Sequence, residues 1–160
     1  MNNLKIKKAL EYSYSLLRNK DRTENEIISL LGKKNYDSET IELVIKKLKE
    51  KNLINDEEFV KKYISKGLEK GKGISRIVLE LEEKGIDRTM VEKILKDMNV
   101  TEETEYSFAE KLFKEKIIRY NRLTEDEVYR RVAGFLSRRG YSSETIEKLF
   151  ENFRKDRKNE

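Results

Sequence analysis

The sequence has no cysteine, histidine, tryptophan or proline among its 160 residues. Without cysteine there is no disulfide, no thiolate nucleophile and no thiolate-bound metal. Without histidine the usual general base near neutral pH is missing. Without proline, the residue that most often punctuates loops and opens first helical turns is missing too, which suits helices joined by short connections. Glycine is scarce, and Gly71-Lys72-Gly73 is a lone GxG with neither the further glycine nor the preceding strand of a phosphate-cradling loop. No apolar run reaches the roughly 18 residues that a membrane helix needs. The opening Met1-Asn2-Asn3-Leu4-Lys5-Ile6 lacks the apolar core of a signal peptide. These absences lead us to expect a cytoplasmic protein that is not an enzyme, holds no cofactor and spans no membrane.

What is present is charge. Asp, Glu, Lys and Arg make up 42% of the chain against 36% hydrophobic residues. That balance fits slender helices with narrow apolar stripes better than a large buried sheet. The formal net charge is +5, and it is unevenly placed. Residues 56–100 carry 10 basic and 10 acidic side chains, whereas residues 111–139 carry 9 basic and 4 acidic ones. A local basic zone points to a polyanionic or acidic partner more strongly than the modest total does.

The chain repeats itself. Tyr36-Asp37-Ser38-Glu39-Thr40-Ile41-Glu42 nearly matches Tyr141-Ser142-Ser143-Glu144-Thr145-Ile146-Glu147, and Ile86-Asp87-Arg88-Thr89-Met90-Val91-Glu92 lies between them. Repeats at such a period signal stacked structural units. Physical roles repeat along with the letters. Ile41, Val44, Ile45 and Leu48 are spaced as one helix face, as are Val91, Ile94, Leu95 and Met98, and then Ile146, Leu149, Phe150 and Phe153. Just upstream, Asn35, Gly85 and Gly140 tolerate the left-handed conformation that ends a helix. Tyr36, Ile86 and Tyr141 follow as apolar residues that pack back on the helix just ended. Asp37, Asp87 and Ser142 are then N-caps for the next helix.

The preceding helix repeats as well, with Ile27 and Leu31 matching Ile77 and Leu81, then Val132 and Leu136. Capping boxes mark its start at Thr23 with Glu26 and at Thr124 with Glu127. A further helix opens each module. One runs from about Leu4 to Asn19, one is capped by Asn55 with Glu58 and is expected to bury Phe59, Tyr63 and Ile64, and one starts near Thr101 and is expected to bury Phe108, Leu112 and Phe113. The expected fold is all-α: nine helices in three tandem three-helix modules, at residues 1–52, 53–100 and 101–160. Each module is too small to bury much alone, so neighbours should stack into an elongated, curved molecule.

The helix expected over residues 124–139 carries the most informative charges. At 100° per residue, Arg131 and Arg138 fall side by side along the flank of its apolar stripe, while Arg130 faces out. Arg139 lies over the stripe at the helix end, where it can snorkel or bond terminal carbonyls. Upstream, Lys111, Lys114, Lys116, Arg119 and Arg122 add to the zone. Arginine forks and lysines suit phosphates or acidic protein surfaces. Sequence-specific groove reading is not expected, because third helices such as residues 39–51 are mixed in charge and carry glutamates outside their stripe.

Four segments together resemble the RecX family, bacterial regulators of the recombinase RecA. They are Leu16-Leu17-Arg18 leading to Arg22-Thr23-Glu24-Asn25-Glu26-Ile27; Leu53-Ile54-Asn55-Asp56-Glu57-Glu58-Phe59-Val60; Gly71-Lys72-Gly73-Ile74-Ser75-Arg76-Ile77 continuing to Leu81 and Lys84-Gly85-Ile86; and Phe135-Leu136-Ser137-Arg138-Arg139-Gly140-Tyr141. The resemblance implies a three-module helical protein that binds in the groove of the RecA–DNA filament. There it would damp ATP hydrolysis, strand exchange and co-protease activity, with direct contact to single-stranded DNA. By position it carries over Arg76, Arg138 and Arg139. Charge and helix geometry add Lys72, Lys114, Arg119, Arg122, Arg130 and Arg131. The chain departs from the family pattern at Thr23, where serine is favoured, and at Ile74, where a proline often opens the helix. A monomer is expected. The competing reading is a stand-alone nucleic-acid-binding protein that uses the same basic face.

Overall fold

The computed structural model describes residues 2–158 and contains nine α-helices and no strand among them. In chain order these are α1 (Asn2–Asn19), α2 (Glu24–Lys33), α3 (Ser38–Glu50), α4 (Asp56–Glu69), α5 (Ile74–Glu83), α6 (Arg88–Asp97), α7 (Glu102–Arg119), α8 (Glu125–Arg138) and α9 (Ser143–Lys158). They fall into three successive three-helix modules. In the first, α1, α2 and α3 pack on one another; in the third, α7, α8 and α9 do the same.

The junction chemistry expected from the repeat is observed at all three sites. Asn35, Gly85 and Gly140 have φ of 60°, 80° and 92°. Each lies at the turn where a helix closes, and the next residue donates its amide back across it: Tyr36 to Leu31 O at 3.3 Å, Ile86 to Leu81 O at 3.1 Å and Tyr141 to Leu136 O at 3.2 Å. This pairing satisfies carbonyls that a helix end otherwise leaves open. Asp37, Asp87 and Ser142 then accept from the amides of Thr40, Thr89 and Thr145. The same closing turn recurs at Asn52, Gly71 and Asn99. Both capping boxes form, at Thr23 with Glu26 and Thr124 with Glu127, and a third forms at Thr101 with Thr104.

The apolar stripes follow the same rule. Ile27, Leu31, Ile77, Leu81, Val132 and Leu136 are all fully buried. Of the twelve aligned positions, all in α3, α6 and α9 save Met98 just past α6, nine are buried, with Ile41, Met98 and Phe153 half-buried. Each fully buried Leu or Ile contributes about 1.5–3 kcal/mol of transfer free energy. One core gathers Ala9, Ile27, Leu31, Val44, Ile45, Leu48 and Ile54. Another gathers Ala109, Phe113, Val132, Leu136, Tyr141, Ile146, Leu149 and Phe150, with Phe113 edge-on to Phe150 at 4.8 Å. In α4 and α7 Ile64 and Phe113 are buried as expected, but the rest of each stripe lies one residue away from the expected positions. Val60, Ile64 and Leu68 are buried in α4 while Phe59 and Tyr63 are half-buried. In α7 the buried line is Glu105, Ala109 and Phe113, with Phe108 and Leu112 half-buried.

By contact, the chain forms two compact units. The first runs up to Lys62 and includes Leu81–Val91; the second comprises Tyr63–Glu80 and the chain from Glu92 on. The breaks at Lys62/Tyr63 and Glu80/Leu81 fall inside α4 and α5. Within the first unit, the start of α2 docks on the end of α5: Thr23 Oγ1 donates to Lys84 O at 2.7 Å, and Lys84 pairs with Glu26 at 3.4 Å. Asp56, at the start of α4, accepts from the Glu24 amide at 2.9 Å. Within the second unit the start of α5 docks on the end of α8, and that joint holds several of the candidate binding residues.

Candidate binding surface

The joint between α5 and α8 is made of backbone. The Gly73 amide donates to Arg139 O at 2.7 Å. A Cβ at position 73 would stand 2.3 Å from the carbonyl carbon and oxygen of Gly140, so only glycine permits this approach. A Cβ on Gly140 would in turn meet Arg76 Cβ at 2.4 Å. The Ile74 amide, at the open N-terminus of α5, donates to Glu105 Oε1 of α7 at 2.6 Å. Burial raises the Glu105 carboxyl, and that hydrogen bond works against the rise. Burial also pushes the neighbouring Tyr141 hydroxyl up to about 12, with the Glu105 charge adding to it.

Three of the candidate cations are built into this joint. Arg76 Nη1 donates to Arg138 O at 2.9 Å, and its Nε donates to Glu80 Oε1 at 2.9 Å. Lys72 Nζ reaches Glu80 Oε2 and lies 5.3 Å from the Tyr63 ring centroid, while the Tyr63 hydroxyl donates to the same oxygen at 2.6 Å. Burial by itself would raise the Glu80 carboxyl, but hydrogen bonds from Lys72, Tyr63 and Arg76 outweigh it and hold the group at about 2. Arg139 Nη1 donates to Lys70 O at 2.7 Å, and its guanidinium lies 5.2 Å from the Phe135 ring centroid. Arg139 thus bonds a terminal carbonyl, as its place on the wheel suggested, but the carbonyl is that of Lys70, just past the end of α4. Sequence reasoning missed Glu80, the acceptor shared by Lys72, Arg76 and Tyr63, and Glu105. The signal for Glu105 was a lone acid in line with Ala109 and Phe113.

The other candidates are exposed. Lys114 pairs with Glu110 one turn away at 3.2 Å, an ion pair in water that contributes little. Arg119, Arg122 and Arg131 line one hollow with Tyr120, Asn121 and Leu123, and no carboxylate lines it among the described residues. The Arg131 guanidinium sits 5.7 Å from the Tyr120 ring centroid. Arg130 and Arg131 flank Glu127, whose carboxylate is lowered first by the Thr124 amide and hydroxyl and then by these arginines. Arg138 is exposed seven residues beyond Arg131, about 10 Å along the helix. The structure therefore groups Arg119, Arg122 and Arg131 in one place and assigns Lys72, Arg76 and Arg139 to a joint. None of its described helices is long and apolar enough to cross a membrane.

Such a chain is a tandem three-helix repeat protein whose last module carries a group of exposed arginines. Family models match two stretches of it: the second three-helix domain of RecX matches residues 55–95 and the third matches residues 103–150. The chain belongs to the RecX family of regulatory proteins. It is 33% identical over 139 residues to a regulatory protein RecX of Amycolatopsis mediterranei, covering 86% of this chain and 78% of that one. It is also 33% identical over 137 residues to a regulatory protein RecX of Mycobacterium sp. (strain JLS), covering 82% and 73%. The crystal structure of RecX from Lactobacillus salivarius superposes with a TM-score of 0.80 at 23% identity, over 92% of this chain and 96% of that one, and so shares the fold.

Proposed function

We propose that this protein regulates the recombinase RecA, mainly as an inhibitor, by binding the filament that RecA forms on single-stranded DNA. Binding there would lower ATP hydrolysis, strand exchange and co-protease activity. The observation that carries this reading is membership of a regulatory family combined with a basic face on the third module, where Arg119, Arg122 and Arg131 share a hollow that no described carboxylate lines. Arg130, Arg138 and Lys114 extend that face, and all are exposed. Their guanidinium and ammonium groups suit DNA phosphates or acidic protein surface. Lys72, Arg76 and Arg139 hold the α5–α8 joint and set how that face is presented. The protein acts as a monomer in the cytoplasm in this reading, with weak affinity for bare DNA.

The test is RecA ATPase on single-stranded DNA with and without the protein, paired with binding to bare and RecA-coated DNA across a salt series. The regulator reading expects reduced hydrolysis and tighter binding to the filament. Equal affinity for bare DNA and filament, with ATPase unchanged, would favour a stand-alone nucleic-acid-binding protein instead.

A further inference from the structure

Beside the arginine hollow lies a second one of different character. At the end of the third module, the last turn of α7, the turn that follows it, the start of α8 and the second half of α9 converge. Ile117, Ile118, Leu123, Val128, Phe150 and Phe153 line the hollow between them. Ile118 is 72% exposed, far more than an isoleucine needs for packing. The two hollows share Tyr120, Asn121 and Leu123 as a common wall, so aliphatic socket and arginine cluster form one continuous surface. The carboxylate on the socket rim, Glu125, is engaged by Arg154 at 2.8 Å. Arg157 closes the rim from α9.

We propose that this surface docks an acidic protein segment, with one aliphatic or aromatic side chain in the socket and its flanking carboxylates on Arg119, Arg122 and Arg131. Charge complementarity selects an acidic partner, because three arginines and, among the described residues, no carboxylate line the hollow. The aromatic rings select protein over nucleic acid. Single-stranded DNA would hold here by stacking bases on open ring faces. The Tyr120 ring carries the Arg131 guanidinium, and the Phe153 ring carries that of Arg157 at 5.6 Å. Phe150 is packed against Phe113 and Tyr129 at 4.8 and 4.7 Å. Besides these engaged rings the socket offers the aliphatic wall of Ile117, Ile118, Leu123 and Val128, which an anchoring side chain fills and a base does not. The inference rests on the regulator reading for its expectation of a protein partner.

The experiment uses the full chain and no recombinase, so it can fail while the regulator reading stands, and the reverse. Fluorescence anisotropy measures binding of a labelled peptide of Asp and Glu around a central Leu. The comparisons are the same peptide with Ala at the centre, its Lys counterpart, and labelled oligothymidine. The acidic Leu peptide should bind, and the Ala version should bind about tenfold or more weakly, because the anchor's burial is lost. Ile118→Asp should abolish peptide binding with an unchanged melt, since that side chain is mostly in water already. Arg119→Glu with Arg122→Glu should abolish it as well. The proposal is overturned if the Leu peptide fails to bind, or if Leu and Ala peptides bind alike. It is also overturned if Ile118→Asp costs oligothymidine binding and leaves the peptide untouched, which would make this a nucleic-acid site.

Discussion

The amide of Gly73 donates to the carbonyl of Arg139 at 2.7 Å, across a gap that a single methyl group would close. Gly73→Ala should therefore destabilise the protein by about 1–3 kcal/mol, the usual cost of forcing an extra carbon into a packed site. Here the obstruction is backbone, which yields less than a side chain. Gly32→Ala is the control of opposite sign. Gly32 lies in α2 with nothing within 4 Å of its would-be Cβ, so alanine should stabilise by about 0.5–1 kcal/mol. Urea unfolding of both variants checks the pair; equal effects would show that the joint is slack.

Gly140 is held twice, by a left-handed φ of 92° and by Arg76 against its α-carbon. Gly140→Val should cost roughly 1 kcal/mol or more from the backbone alone, with the clash added. Gly85, at φ 80° with Asn25 against it, should behave alike. Thermal melts that show no loss in either variant would refute the assignment of these residues as helix-closing turns.

Two threonine caps of the same type should differ in value. Thr124 caps α8 in water. Thr23 is fully buried, caps α2 and also donates to Lys84 O. Thr124→Ala should cost about 0.5–1 kcal/mol, and Thr23→Ala about 2 kcal/mol or more, because the buried hydrogen bond to Lys84 O is lost together with the cap. Chemical denaturation of the two variants side by side decides it.

The acid response should centre on Glu80. Its carboxyl sits at about 2 in the folded chain against an ordinary 4.5. A depressed carboxyl contributes stability that is present above its unfolded value and lost as pH falls through the folded one. The stability gap between the wild type and Glu80→Gln should thus be full at neutral pH, on the order of 2–3 kcal/mol. It should close as pH falls from about 4.5 toward about 2. Glu105 works the other way: burial raises its carboxyl, so the folded state holds its proton more tightly and loses stability as pH rises above 4.5. Denaturation midpoints of the wild type and Glu80→Gln measured across this window show whether the gap closes.

The arginines should separate into two kinds. Arg76→Ala and Arg139→Ala remove donors to the carbonyls of Arg138 and Lys70 and should lower stability by about 1–2 kcal/mol each. Replacing Arg131 and Arg138 together by alanine should leave the melt unchanged, weaken filament binding and flatten its salt dependence, since fewer counterions are released. Filament binding by this double variant equal to wild type at every salt would reduce the basic face to a solvated surface.

How much of this was legible depends on how far apart along the chain the participating residues lie. Caps, closing turns and stripes are local, set within about four residues, so Thr23 with Glu26, Gly140 and the α9 stripe could be read directly. The α4 and α7 stripes were harder, because Phe59 beside Val60 and Phe108 beside Ala109 leave two adjacent apolar faces. The wheel favours the larger side chain, while packing chose the smaller. The α5–α8 joint lay beyond reach. Arg139 meets Lys70 O across 69 positions, and Glu105 meets Ile74 across 31. Gly73 read only as part of a lone GxG that is no phosphate loop, when its role is to let two backbones touch. For the basic face, the sequence revealed which charges are numerous but not which are already engaged, so Arg76 and Arg119 looked equivalent.

The two joints also bear on how such a chain can change over generations. Position 23 offers a hydroxyl to the carbonyl of position 84, and its repeat counterpart, position 73, offers an amide to the carbonyl of position 139. What is inherited is an acceptor awaiting a donor, and either a side chain or the backbone itself can supply it. Between the two modules the letter differs while the bond to the equivalent carbonyl remains, so a repeat can fade from the text and persist in the contacts.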